Sequence, residues 1–363
     1  MKVHSRVLPR KVTETFSSST AYYFFRILFQ PKQNVQARAY SLEGVSWCSL
    51  DRQEPSPFAT AGSMMFWVSG GAPKQPMPRF RSASMLAFVL LLGVPAPHPL
   101  DVMTVDLEPE TLEAFNRYVQ ASEARIVKEV ARPGAFLYIE GLPEPTRAQT
   151  LASLRKGDIY IERLQTQDAS GSDIAAPDGL IHHWIAAVFI PGATLRQVLD
   201  LVQDYNHHQD VYQPEVARSR LIHQEGNRYQ VYYRLREEKV ITVILNTNHD
   251  VQYFPVDATR WRSRSVATRI AEVEDPGQSN EHEKPIGHDG GFLWRMNSYW
   301  RFEEKDRGVY VEVESISLTR DIPKGLGWMI RPFVVSIPRE SLLKTLGSTR
   351  SAVEARVQHA SQK

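Results

Sequence analysis

The chain has 363 residues, 42% of them hydrophobic and 23% charged, with a formal net charge of +2. That is globular composition with material for a core and one or two domains. No block of Lys or Arg stands out, so nucleic acid is not an expected partner. The single cysteine, Cys48, excludes a disulfide framework and any other cysteine-based metal site or nucleophile.

Residues 1–76 show no sustained period and read as disordered or as the product of a start assigned too early. Residues 77–100 hold an uninterrupted apolar run, Met85–Val94, preceded by Arg79 and Arg81. A basic flank before a short apolar stretch is the pattern of a secretory signal, too short to span a membrane. With Met77 or Met85 as the start, the protein is expected to be exported to the periplasm or secreted; otherwise it is cytoplasmic. Pro97 disfavours cleavage after Ala96.

Residues 101–178 read as an α/β extension and linker. Leu112, Phe115, Val119, Ile126 and Val130 make one apolar stripe of a helix over 107–131, with Pro109 in its first turn. A strand is expected at Phe136–Ile139, a helix at Pro145–Lys156 capped by Gly157, and a strand at Ile159–Leu164. Thr166–Gly179 is rich in Asp, Ser, Gly and Pro and reads as the linker. The extension is too small to fold alone and should pack on the C-terminal domain.

Residues 179–358 read as that main domain. A strand at His182–Ile190 leads to a helix capped by Thr194, with a second short helix through Tyr205–Val211. The period then switches to two, with strands at Val216–Gln224, Arg228–Arg236, Val240–Phe254, Arg260–Val273, Phe292–Glu304 and Val309–Arg320. Glu225-Gly226-Asn227 and Asp306-Arg307-Gly308 are hairpin turns. Glu274–Gly291 has no period and reads as a loop near a cavity mouth. Pro338 opens the last helix, with Leu342, Leu346, Val353 and Val357 on one face.

Alternation assigns faces. Tyr229, Val231, Tyr233 and Leu235 share one; Trp294, Met296, Ser298 and Trp300 another; Val311, Val313, Ser315 and Ser317 a third; Trp261, Ser263, Ser265 and Ala267 a fourth. Small hydroxyls among aromatics leave space and supply hydrogen bonds, which suits a largely apolar pocket; a packed core with serines bonded to backbone is the other reading. The expected cavity lining is Tyr229, Tyr233, His249, Trp261, Ser263, Ser265, Trp294, Met296, Ser298, Trp300, Val313, Ser315, Leu342 and Leu346.

The element order of Ile181–Val357, with the stretches Gly179–Trp184, Asp204–His208, Pro214–Val216, Leu293–Phe302 and Glu314–Asp321, resembles the START-like helix-grip superfamily, also called SRPBCC, which holds polyketide cyclase/dehydrase-like and lipid-transfer proteins. The likeness is greatest to exported bacterial members. It implies an α+β fold, a curved antiparallel sheet wrapped around a long C-terminal helix, here with a small N-terminal helical extension. Because that superfamily holds carriers, enzymes and regulatory domains alike, it implies no catalytic residue.

The remaining candidates each have a plain alternative. His182-His183 and His207-His208 invite a metal, but neighbours on a strand face opposite ways and no motif completes a site, so no metal or cofactor is expected. Asn248 and His249, in a polar patch of an apolar strand, would anchor a ligand's head or mark a bulge. Glu312 and Glu314 should face solvent and pair with Arg295 or Arg301. Arg320 and Asp321 should close the last strand as an ion pair, or meet an anionic head group. Trp328, Met329, Ile330, Phe333, Val334 and Ile337 form a transient membrane contact or a pocket gate, or else pack as a helix on the sheet. The favoured function is non-catalytic binding or transport of a lipid, isoprenoid or polyketide-like molecule. The alternatives are a cyclase or dehydratase using a cavity His or Glu, and an interaction module with a closed core. The oligomeric state is not legible.

Overall fold

A computed structural model describes residues 104–238, 242–322 and 327–361, all within one compact unit. Residues 1–76, the expected signal segment at 77–100, and the side chains of Trp328, Met329, Ile330 and Phe333 lie outside the described residues.

The extension begins with β1 (Val105–Asp106) and α1 (Pro109–Val130), followed by a 3-10 turn (Tyr138–Gly141), α2 (Thr146–Arg155) and β2 (Tyr160–Arg163). The main part runs β3 (Gly179–Pro191), α3 (Leu195–Val202), α4 (His208–Val211), β4 (Val216–Glu225), β5 (Arg228–Glu238), β6 (Thr242–Pro255) and β7 (Arg260–Glu274). It continues with β8 (His282–Glu283), β9 (His288–Asp289), β10 (Arg295–Lys305), β11 (Gly308–Arg320) and α5 (Gly327–Ser361). The large sheet has the order β2-β3-β11-β10-β7-β6-β5-β4, with β8 beside β7, and every pairing is antiparallel.

Local chemistry sets the ends of these elements. Thr194 accepts a hydrogen bond from the Gln197 N–H at 3.3 Å, and Gln197 Oε1 accepts from the Thr194 N–H at 2.9 Å, a reciprocal cap on α3. Asp306 and Arg307 both take positive φ, 57° and 58°, in the two-residue turn between β10 and β11. The next residue must be glycine for a different reason: a Cβ on Gly308 would stand 2.5 Å from the Ile190 carbonyl oxygen of β3.

The inner face of the sheet packs on α3 and α5, through Val188, Ile190, Phe302, Val309 and Val311 against Leu195, Val198, Leu346 and Val353. The outer face is covered by the extension. Phe115, Tyr118, Val119 and Ile126 of α1 meet Trp294, Tyr299, Ile316 and Leu318. Phe136, Leu137, Ile139 and Leu154 meet Ala187, Phe189 and Tyr310. At β3, β10 and β11 the sheet is therefore the middle of three layers, buried on both sides.

That covering corrects several expectations. Phe136–Ile139 forms no strand; a 3-10 turn starts at Tyr138, where Glu140 accepts hydrogen bonds from the N–H groups of Phe136 and Leu137 at 2.8 and 2.9 Å. The 274–291 loop contains β8 and β9, which pair with β7 and β1. Pro338 does not open the last helix. α5 runs through it from Gly327, although a proline there removes one backbone donor.

The largest correction concerns Glu312 and Glu314. Both are 1% exposed, because α1 lies over them. Arg301, directly opposite Glu312 in the ladder, pairs with it at 3.2 Å and with Glu129 of α1 at 2.8 Å. The backbone N–H groups of Tyr138 and Ile139 also donate to Glu312, at 3.0 and 3.3 Å. Glu314 accepts from Arg125 of α1 and lies 2.7 Å from His183 Nε2. The Thr166 N–H donates to the Tyr118 hydroxyl at 2.9 Å. The hydroxyl also meets His183 Nδ1 at 2.9 Å, and on the other side of the ring Nε2 meets Glu314. One chain of bonds thus ties linker, α1, β3 and β11 together.

Burial pushes Glu312 up to about 7, against the opposing pull of Arg301 and the backbone donors. Burial acts in the same direction on Glu314, but the His183 hydrogen bond and the charges of Arg125 and Arg301 outweigh it and hold Glu314 below the ordinary carboxylate range. The folded state thus keeps a proton on Glu312 that the unfolded chain releases near 4.5. Wild-type stability is lost through this group as pH rises from about 4.5 to about 7. Glutamine mimics the protonated acid. Glu312→Gln is expected to gain on wild type by up to about 3 kcal/mol between pH 5 and pH 8 in urea unfolding. A difference that stays constant with pH would show that Glu312 does not hold the proton.

Candidate ligand cavity

Between the inner face of the sheet and α5 lies a cavity of about 350 Å³, within the roughly 300–1,000 Å³ of small-molecule sites. The sheet register explains why it is open. Ser315 of β11 stands opposite Ser298 of β10, which stands opposite Ser265 of β7. Three small side chains in one row across neighbouring strands leave space that aliphatic residues would fill. Trp184 and Val251 flank this row on β3 and β6. In the adjacent row, Val313, Trp300 and Ser263 also line the cavity.

Of the fourteen side chains expected to line it, Tyr233, His249, Ser263, Ser265, Met296, Ser298, Trp300, Val313, Ser315 and Leu342 do so. Tyr229 and Leu346 belong to the packed core, with Trp261 packed against it. Trp294 is on the other face, under α1, and donates from Nε1 to Asp289 at 3.0 Å. It precedes β10 and so escapes that strand's alternation. In β6, His249 faces the cavity, and a bulge interrupts the register with β7 between Asn248 and His249. The polar patch is therefore both a bulge and part of the wall.

Sequence reasoning missed the residues brought by the turn between α3 and α4. Val202, Tyr205, His208 and Tyr212 join Tyr233 and Tyr253 in the lining. The signal was the string Asp204-Tyr205-Asn206-His207-His208, whose histidines carried no pattern that aims them at a pocket. Its rings form a connected group: His208 lies 4.8 Å from Tyr205, 5.1 Å from Tyr212 and 5.8 Å from Tyr233, and Tyr233 lies 5.4 Å from His249. The polar atoms are mostly paired. The Tyr205 and Tyr253 hydroxyls are 2.9 Å apart, and Tyr253 donates to the Val202 carbonyl at 3.2 Å. The Tyr212 hydroxyl meets Thr349 at 3.1 Å. His249 reaches Thr247 at 3.0 Å and Ser265 at 3.4 Å. Burial pulls both His208 and His249 down to about 4, so both stand neutral at pH 7.

Among the described residues, the Asp, Glu, Lys and Arg side chains that touch the cavity are Glu215, Glu237, Lys344, Arg320 and Asp321. Lys344 pairs with Glu215, and the others fall at or just beyond the ends of β5 and β11. Charge therefore collects at the rim, while the interior presents rings, aliphatics and neutral hydroxyls. Such an interior can hold an apolar body and orient it by a few hydrogen bonds; a carboxylate base is not among the interior side chains described.

A long antiparallel sheet wrapped on a C-terminal helix, with a cavity between them, defines a START-like helix-grip fold. Solved structures similar to this chain include an aromatase/cyclase from Streptomyces sp. R1128, at 12% identity and TM-score 0.34, covering 49% of this chain and 96% of that one. A STAR-related lipid transfer protein from Xanthomonas axonopodis is similar at 18% identity and TM-score 0.33, covering 53% and 98%. A START superfamily protein from Mycobacterium smegmatis is similar at 12% identity and TM-score 0.30, covering 50% and 98%. No protein-family model and no curated protein matches the chain.

Proposed function

We propose that this protein binds and carries a hydrophobic small molecule, without chemical change, in the cavity between sheet and α5. The observation that carries the reading is the composition of that cavity: about 350 Å³ of space floored by a row of serines, walled by rings and aliphatics, with the charged side chains at its rim. Affinity would come from apolar burial, at about 25 cal/mol per Å². An enzyme of cyclase type would use His208 or His249 as its base, the interior side chains able to take up a proton. Carriage is preferred because both ring nitrogens of His249 are engaged, by Thr247 and Ser265, and Nδ1 of His208 is engaged by the Tyr233 hydroxyl, which leaves His208 Nε2 as the one open imidazole nitrogen among the described side chains of the cavity.

Native mass spectrometry of the full chain, followed by solvent extraction, tests this. A stoichiometric apolar adduct is expected on the purified protein or after incubation with a host lipid extract. A bare mass under both conditions would reject carriage.

A further inference from the structure

Of the buried side-chain polar atoms without a hydrogen-bond partner among the described residues, only His208 Nε2 belongs to a side chain lining the cavity. An unmade hydrogen bond at a buried group costs roughly 1–3 kcal/mol, so the atom is a place where a ligand has something to gain.

The other ring nitrogen fixes what Nε2 offers. Nδ1 lies 2.9 Å from the Tyr233 hydroxyl, which makes no other hydrogen bond among the described residues. If the hydroxyl donates to Nδ1, its own proton is used and the imidazole carries its proton on Nε2. In the other tautomer, Nδ1–H donates and both the Tyr233 proton and Nε2 are left unmet. The first arrangement leaves one unsatisfied group and the second leaves two, so Nε2–H is a donor without an acceptor. The carbonyls of Val202 and Leu201 lie close enough to His208 to favour its protonation, yet neither accepts from Nε2. The Val202 oxygen already accepts from Tyr253.

Resting on the carrier reading, we infer that His208 Nε2–H is the anchor for a neutral oxygen acceptor on the ligand, a ketone, ester or ether oxygen on an otherwise apolar body. A hydrocarbon leaves the donor unmet. A carboxylate is disfavoured because, among the described residues, the interior around His208 offers rings and hydroxyls and no cation; Lys344 pairs with Glu215, and Arg320 is the last residue of β11. Tyr233 is the positioning residue: its hydroxyl sets the tautomer, and its ring lies nearly parallel to the imidazole, at 18°.

The test uses the full chain, the neutral fluorophore N-phenyl-1-naphthylamine to report cavity occupancy, and two competitors of similar shape, 2-acetylnaphthalene and 2-isopropylnaphthalene. The ratio of their affinities in wild type is compared with that in His208→Phe and His208→Gln. The ketone-to-hydrocarbon ratio is expected to fall about tenfold in His208→Phe, the value of one hydrogen bond to a buried donor. His208→Gln, which keeps an N–H donor, should recover most of it. An unchanged ratio, with the fluorophore still bound, would overturn the His208 assignment and leave carriage standing. Failure of wild type to bind the fluorophore or either competitor would sink both. A readout without substitution is the Nε2-bound proton in nitrogen-15 NMR of wild type. It should be present in the free protein and move downfield with the ketone but not with the hydrocarbon; a proton found on Nδ1 instead would reject the inference.

Discussion

Arg301→Met is expected to destabilise the protein by about 3–5 kcal/mol, lowering the thermal midpoint by roughly 10 °C for a folded unit of this size. Arg301 is 2% exposed and is the cation shared by Glu129 and Glu312, with Glu314 Oε2 at 3.9 Å. Removing it leaves buried carboxyl groups without their counter-charge, and the desolvation already incurred is no longer offset. Arg125 and His183 still hold Glu314, so the loss falls mainly on Glu312 and Glu129. The double variant Arg301→Met/Glu312→Leu should therefore be more stable than Arg301→Met, although it lacks two charged groups instead of one. Scanning calorimetry at pH 7.5 decides the matter. A midpoint within a few degrees of wild type for Arg301→Met would mean that water, and not Arg301, solvates these acids.

The second large effect concerns the cavity. Ser298→Trp and Ser315→Trp each place an indole over the row of serines. Ligand affinity should fall at least about a hundredfold, some 2.7 kcal/mol. Because the ring enters existing space, stability should change by less than about 1.5 kcal/mol, unlike insertion into a packed core. Fluorophore titration and a thermal melt of the same samples separate the two quantities. Full affinity in both variants would place the ligand elsewhere; unfolding of both would mean that the space is smaller than the structure shows.

Period-two alternation made the strands and the inner face readable, and with them Ser263, Ser265, Ser298 and Ser315. Strand pattern identifies a residue's side of the sheet directly. It could not say what covers the other side. Glu312 and Glu314 alternate with valines as solvent-facing residues do, and only the packing of α1 makes that face an interior. Arg125 and Glu129, on α1, were the sequence's trace of this, since they reach across more than 170 residues to Arg301 and Glu314. His208 and Tyr205 were illegible for another reason. They sit on a turn and a four-residue helix, where no period fixes direction and tertiary contact alone decides which way a ring points.

The cavity and the acid–base cluster occupy opposite sides of the same two strands. In β10 and β11, Ser298, Trp300, Val313 and Ser315 line one, while Arg301, Glu312 and Glu314 build the other. A slip of β10 or β11 by one residue would exchange these sides, turning carboxylates and a guanidinium into a space that offers them no partner and hydroxyls into a layer of charge. The cluster therefore acts as a ratchet on strand alignment. A single-residue insertion within either strand has to be absorbed locally as a bulge, as happens between β6 and β7 at Asn248 and His249, whereas a step of two keeps each side chain on its own face. The pocket's shape can drift through its serines, but its orientation is locked from behind.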